Sequence, residues 1–120
     1  MAEHNDLGRE GEIIAVNYLR ENGYSITEKN WRYHELELDI IAKKDDMLIV
    51  FEVKTRRNNY FMEPEASVTK AKQKQILKGA NAYISYKNLN MEVRFDIISI
   101  ILNEGEYEIN HIEDAFSAVS

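Results

Sequence analysis

Residues Met47-Leu48-Ile49-Val50 form an unbroken apolar run that leads into Phe51-Glu52-Val53-Lys54-Thr55-Arg56-Arg57. A strand without a polar face has to be covered on both sides, so the chain must build a sheet with a layer on each face. The same strand nevertheless carries Glu52 and Lys54 at its end, followed by two arginines. Charge entering a covered strand is costly unless something compensates it. Identifying that compensation is the route to function.

At 120 residues the chain is expected to hold one domain, residues 1–120, with one core. Hydrophobic residues make up 44% and charged residues 30%, with one proline and five glycines, a globular rather than a disordered or fibrous composition. No apolar run approaches the roughly 20 residues of a membrane-crossing helix. The polar start, Met1-Ala2-Glu3-His4-Asn5-Asp6, lacks the basic-then-apolar pattern of an export signal. Cysteine is absent, which removes disulfides, zinc–thiolate sites and a cysteine nucleophile. A cytoplasmic protein with no membrane partner is the expectation.

The net charge of −6 speaks against a polyanionic partner until its distribution is considered. Residues 54–78 hold seven positive side chains (Lys54, Arg56, Arg57, Lys70, Lys72, Lys74, Lys78) and two negative ones (Glu63, Glu65), a local +5 that leaves −11 for the rest. A polyanion responds to the local field, so this segment is a candidate docking surface. The plainer alternative for the same lysines is a solvated helix face.

Hydrophobic periodicity predicts the order helix, three strands, helix, two strands: one sheet with helices packed on it. The first helix is expected from Asp6, as cap, to Asn22-Gly23 as stop. Strands follow over Tyr24–Trp31, Leu36–Lys43 and Met47–Lys54, then a loop over 55–66 with Asn58-Asn59 and Pro64. The second helix is expected from about Ser67 to Ser85, with Val68, Ala71, Ile76, Gly79, Ala80 and Tyr83 inward. Met91–Leu102 and Tyr107–Ile112 are the last strands, and Asp114-Ala115-Phe116 a tail folded back on Phe116.

Parity sets the register of the hairpin around Asp45-Asp46. Pairing Lys44 with Met47 puts Ala42 opposite Ile49, Ile40 opposite Phe51, Asp39 opposite Glu52 and Glu37 opposite Lys54. A two-residue loop and a four-residue loop give the same register, and Asp-Asp is not a favoured two-residue turn, which points to the longer loop. Asp39 and Glu52 would then have β-carbons about 4.5–5.5 Å apart. Two like charges placed so destabilise a sheet, and a hard divalent cation compensates them directly. The plainer alternative is a surface hairpin whose exposed face carries Glu37, Asp39, Glu52 and Lys54. Against it, Ile41, Leu48 and Val50 share that face with the charges.

Asp39 followed by Glu52-Val53-Lys54 resembles the PD-(D/E)xK motif of restriction-endonuclease-like nucleases. Along the whole chain the sequence is similar to the YraN family, predicted bacterial endonucleases related to archaeal Holliday-junction resolvases. The matching pieces are Gly8-x-x-Gly11-Glu12, Asn30-x-Arg32, Glu37-Leu38-Asp39-Ile40-Ile41, Phe51-Glu52-Val53-Lys54-Thr55-Arg56, Ser67-Val68-Thr69, Lys72-Gln73, Arg94-Phe95-Asp96 and Asp114-Ala115-Phe116. The resemblance implies an α/β restriction-endonuclease-like αβββαβ core, a mixed sheet flanked by helices. It implies Asp39, Glu52 and Val53 as positions that hold Mg²⁺ or Mn²⁺, and Lys54 as the catalytic lysine. Glu12 matches a first-helix glutamate that joins the metal site or orients its water in related nucleases. Glu37 matches too, without an assigned role. Leu36 stands where the family usually has glycine, and the proline that names the wider motif is absent.

The expected chemistry is phosphodiester cleavage in DNA, on branched or damaged structures rather than a defined sequence. The cation polarises a phosphoryl oxygen and acidifies water, and Lys54 orients that water or stabilises developing charge. Arg56, Arg57, Lys70, Lys72 and Lys74 are candidate phosphate contacts, and Gln73 a donor to the sugar-phosphate backbone. A non-catalytic module that keeps the fold and binds nucleic acid or protein is the alternative. A chain of this size covers little of a junction, so a symmetric homodimer is in keeping by analogy. His4, His34 and His111 show no metal-ligand spacing and are expected on the surface or in loops. Arg94 and Asp96 are expected to form an ion pair on one strand face. Gly8 and Gly11, with no strand before them, are expected to allow close helix packing rather than to cradle phosphate.

Overall fold

The computed structural model describes residues 2–57 and 68–117. The expected turn residues Asn58, Asn59 and Pro64, together with Glu63, Glu65 and Ser67, lie outside them. Nothing between Ala2 and Asp6 breaks a helix, so α1 (Ala2–Glu21) starts ahead of Asp6, which stands inside it rather than capping it. Gly23 ends it with φ +89°, and the Tyr24 amide closes back on the Leu19 carbonyl at 3.0 Å. A meander follows: β1 (Ser25–Tyr33), β2 (Leu36–Lys44) and β3 (Met47–Arg57). Helix α2 (Lys70–Lys87) carries the chain to β4 (Glu92–Asn103), and β5 (Glu106–Phe116) returns beside it. The sheet order is β1-β2-β3-β4-β5. Among the described residues only β3 and β4 run parallel, so this is a mixed α/β sheet with two described helices.

The apolar run is the central strand, covered as its composition demands. On one face α1 lays Ala15, Val16 and Leu19 over Ile40, Ala42, Ile49, Phe51, Ile98 and Ile100. On the other, α2 sets Ile76, Ala80 and Tyr83 against Leu38, Ile41, Leu48, Val50 and Ile97. Ala71 is exposed, because at 3.6 residues per turn it falls off the line through Ile76, Ala80 and Tyr83. Thr69 caps α2, its hydroxyl accepting from the Lys72 amide at 3.1 Å. Neither described helix is long and apolar enough to cross a membrane.

Lys44 pairs with Met47, so a two-residue turn joins β2 to β3 and not the longer loop expected. Asp45 makes this possible by taking φ +57°, a left-handed conformation that aspartate visits more readily than most residues. The pairings Ala42–Ile49 and Ile40–Phe51 are those parity predicts, but the ladder stops there. Asp39–Glu52 and Glu37–Lys54 are not ladder partners. The alternation of β2 breaks at Asp39, since Leu38 packs towards α2 whereas the next even residue, Ile40, packs towards α1. The Asp39 carboxylate then accepts a hydrogen bond from the Val53 amide at 2.8 Å, a side chain standing in for the next rung. Glu37 turns outward to Arg32 at 3.4 Å.

At the other edge β5 runs on to Phe116, which stacks on Phe95 at 5.4 Å, so Asp114-Ala115-Phe116 completes the strand instead of folding back. Asp114 takes φ +53° and donates its amide to Asp96 at 2.9 Å. Arg94 and Asp96 form the expected pair, 2.8 Å apart, within a larger network. His111 is not a surface residue: its Nε2 meets Asp96 at 2.8 Å and its Nδ1 the Tyr18 hydroxyl at 3.0 Å. It sits on β5, where α1 closes over the strand, a placement that isolated spacing does not reveal. His34 lies in the exposed β1–β2 turn, and the side chain of His4 lies outside the described residues. No buried side-chain polar atom among the described residues lacks a partner.

Candidate active site

Glu52 is one of three polar or charged residues buried among the described residues. It lies on the α2 side of β3, and one carboxylate oxygen has Lys54 Nζ at 3.7 Å and Lys72 Nζ at 3.9 Å. The break in β2 brings Asp39, half-buried, within hydrogen-bonding reach of Glu52. Burial first, then the neighbouring Glu52 carboxylate, push the Asp39 carboxyl up to about 7, against the pull of the Val53 amide and Lys72. The two acids therefore meet as the hairpin register suggests, but through a side chain that leaves the ladder.

Asp39 opens on a cleft of about 430 Å³ on the α1 side of the sheet. Glu12, Val53, Lys54 and Arg56 line it with Asp39, and so do Gly8, Arg9, Asn30 and Thr55. A β-carbon added at Gly11 would land on the Thr55 side chain. That missing atom lets α1 approach β3 and sets Glu12 over the cleft. Gly8 has open space beside it, so close packing is the role of Gly11 alone. Asn30, in a left-handed conformation at φ +52°, donates its amide to Glu12 at 2.9 Å. Leu36 pairs with Tyr33 at the end of the β1–β2 hairpin.

The basic residues divide. Arg56 lines the cleft and donates to the Thr55 carbonyl at 3.1 Å. Arg57 does not line it but a separate depression with Glu10 and Gly105. Lys72 is drawn to Glu52, while Lys70 and Lys74 are exposed on α2. Gln73 turns its amide to the Val68 carbonyl at 3.1 Å, bracing the helix start instead of facing outward. Gly8, Arg9, Asn30 and Thr55 are the lining residues that sequence reasoning did not single out as site residues. Arg9 was within reach of it, standing three residues before Glu12 on the same helix face.

A cation would find Asp39 and Glu52 here, two hard oxygen donors that repel each other without one. No group of three His, Asp or Glu side chains converges on one point among the described residues.

Comparison with known proteins gives a consistent kinship. The model of Uncharacterised protein family UPF0102 matches residues 11–100. A UPF0102 protein of Parabacteroides distasonis is 49% identical over 118 residues, covering 98% of each chain. A UPF0102 protein of Bacteroides thetaiotaomicron is 47% identical over 116 residues, 97% of this chain and 96% of the relative. One from Flavobacterium psychrophilum is 46% identical over 116 residues, 97% of this chain and 98% of the relative. The cleft residues from Glu12 to Arg56 fall inside the matched span, and the chain belongs to the UPF0102 family.

Proposed function

We propose that the chain is a Mg²⁺- or Mn²⁺-dependent endonuclease-like protein that binds DNA and hydrolyses its phosphodiesters, acting on branched or damaged structures. The observation that carries this reading is the Asp39–Glu52 pair, two carboxyl groups held together where burial and the neighbouring Glu52 oppose the ionisation of Asp39. A structural role alone gives no reason to keep such a pair. The order α1-β1-β2-β3-α2-β4 supports it too, since it contains the αβββαβ succession of restriction-endonuclease-like nucleases, with β5 added. On this reading the chain is a YraN-type member of that superfamily.

Asp39, Glu52 and the main chain at Val53 would hold the cation. Bound there, it supplies charge neutralisation, a polarised phosphoryl oxygen and a more acidic water. Lys54, which lines the cleft and reaches Glu52, sets its ammonium to orient that water and to stabilise charge developing on the phosphate. Glu12, steadied by Asn30, offers a second acceptor to the same water. Arg9 and Arg56 in the cleft, with Lys70 and Lys74 outside it, neutralise neighbouring phosphates and give affinity that falls with salt.

The test is cleavage of single-stranded, duplex, flapped and four-way-junction DNA, and of RNA, with Mg²⁺ or Mn²⁺. Wild type is expected to cut DNA, and Glu52→Gln and Lys54→Ala to lose at least tenfold. No cleavage by wild type, or equal cleavage by both variants, overturns the reading. One observation favours a non-catalytic module instead: no third His, Asp or Glu joins Asp39 and Glu52 among the described residues. In that case DNA binding persists without cleavage.

A further inference from the structure

Four large apolar side chains are exposed among the described residues: Ile13, Tyr33, Tyr86 and Tyr107. Two of them line one groove of about 510 Å³, with Tyr33 from the end of β1 and Tyr86 from α2. Asn81, Ala82 and Ser85 make the rest of its lining. The Tyr33 ring is braced from behind. It stacks on Trp31 at 6.1 Å with 4° between the planes, and Trp31 sets its own ring edgewise against the buried Tyr83 at 5.1 Å. His34 meets Tyr33 from the side at 4.3 Å. A chain of rings therefore runs from the core to the surface and holds Tyr33 flat.

An aromatic ring already ordered in the free protein loses little entropy when something stacks on it. Every nucleobase has a π-face, and stacking on such a ring tolerates any sequence. Asn81 carries both an amide donor and a carbonyl acceptor for a base edge, and Ser85 a hydroxyl. Tyrosine walls beside an amide and a hydroxyl suit a flat, polar-edged ring better than an aliphatic side chain.

Position relative to charge selects the polynucleotide. Residues three and four apart share a helix face, so Lys74, Lys78, Asn81 and Ser85 lie along one line of α2, and all four are exposed. At 1.5 Å per residue the line runs about 16 Å. Lys72, two residues before Lys74, turns to the other side of α2, its ammonium 3.9 Å from Glu52. Lys87 sits 5.7 Å over the Tyr86 ring at the far end, its ammonium also 3.9 Å from the Glu28 carboxylate. Tyr33 pairs with Leu36, three residues before Asp39 on β2 and about 10 Å from it at the strand rise, so a strand leaving the Asp39–Glu52 site reaches the two tyrosines within a few nucleotides.

We propose that the groove between Tyr33 and Tyr86 holds an unpaired base of the DNA bound at the Asp39–Glu52 site. This rests on the nuclease reading and narrows its substrate class to DNA with single-stranded nucleotides next to the duplex. The base is unpaired because one inside a duplex has both faces stacked on its neighbours and its Watson–Crick edge taken, leaving no ring for the groove to hold.

The test is fluorescence titration of duplex DNA bearing a short single-stranded tail, with 2-aminopurine placed in turn at the second, third and fourth tail positions. Fully duplex DNA is the control. Wild type and Tyr33→Phe are expected to quench the probe at one position. Tyr33→Ala and Tyr86→Ala are expected to abolish that quenching and weaken tailed-DNA binding about tenfold, leaving duplex affinity unchanged. Both truncations are at exposed side chains, and circular dichroism verifies their folding. Tyrosine variants that match wild type on tailed DNA overturn the groove. If Lys74→Ala and Lys78→Ala then weaken both DNAs, the nuclease reading survives that loss. Wild type that binds neither DNA overturns both.

Discussion

Asp39 keeps its proton to about pH 7, although an aspartate in an unfolded chain releases it near 3.8. The folded protein thus binds more protons than the unfolded one between those values, so this residue's contribution to stability declines as pH rises from about 4 to about 7. Asp39→Asn should remove that decline and make the metal-free protein more stable at pH 8 by up to roughly 4 kcal/mol. Urea unfolding of both proteins at pH 4 and pH 8 measures it, and equal pH dependence refutes it. Asp96 behaves oppositely. Burial opposes its charge, but hydrogen bonds from His111, Arg94 and the Asp114 amide together outweigh burial and hold its carboxyl below the usual range. Its stabilisation is lost only as pH falls through that lower value. Side-chain parity was enough to bring Asp39 towards Glu52 from sequence. It could not foresee that the Asp39 carboxylate would replace a backbone rung, because alternation describes where side chains point and not which backbone groups they take over.

Among the elements, α1 depends on a single missing atom for its seat on β3. Gly11→Ala would set a β-carbon 2.8 Å from Thr55 Cβ, so helix and strand must separate or Thr55 must move. Overpacking of this kind costs about 1–3 kcal/mol, while alanine returns up to about 1 kcal/mol of helix propensity. A net loss is expected in chemical denaturation, partly restored by adding Thr55→Gly. An additive double mutant would show that the two residues do not meet. Periodicity located all seven elements, because each helix and strand presents its apolar residues at the expected spacing. It erred where local chemistry decided: Asp45 accepted a left-handed turn, and β5 continued past Ile112 by tying the Asp114 amide to Asp96. The Tyr33–Tyr86 groove was illegible for a different reason, since its walls come from residues 53 positions apart on separate elements.

Across the molecule, the Asp96 network joins parts of the chain that are distant in sequence. It connects Tyr18 on α1, Tyr24 ahead of β1, Arg94 on β4 and His111 and Asp114 on β5. Asp96→Ala should cost about 3–5 kcal/mol, because it leaves the half-buried Arg94 guanidinium and the His111 ring without their acceptor. A loss below about 1 kcal/mol in urea unfolding would show the network to be dispensable. The sequence disclosed the Arg94–Asp96 pair by shared strand parity. It hid the remaining partners, which only the packing of α1 against β5 assembles. The strand arrangement also has a kinetic meaning. β1, β2 and β3 pair through short turns and close quickly, whereas parallel β4 can reach β3 only after the segment from 58 to 91 has been made and α2 has crossed over. During synthesis, the contact between Asp39 and Val53 is thus available while the far edge of β3 still stands unpaired. An apolar open edge is the kind of surface on which chains aggregate, and charges at its end discourage that. Glu52, Lys54 and the two arginines beyond them would then guard the nascent strand before they act on any ligand.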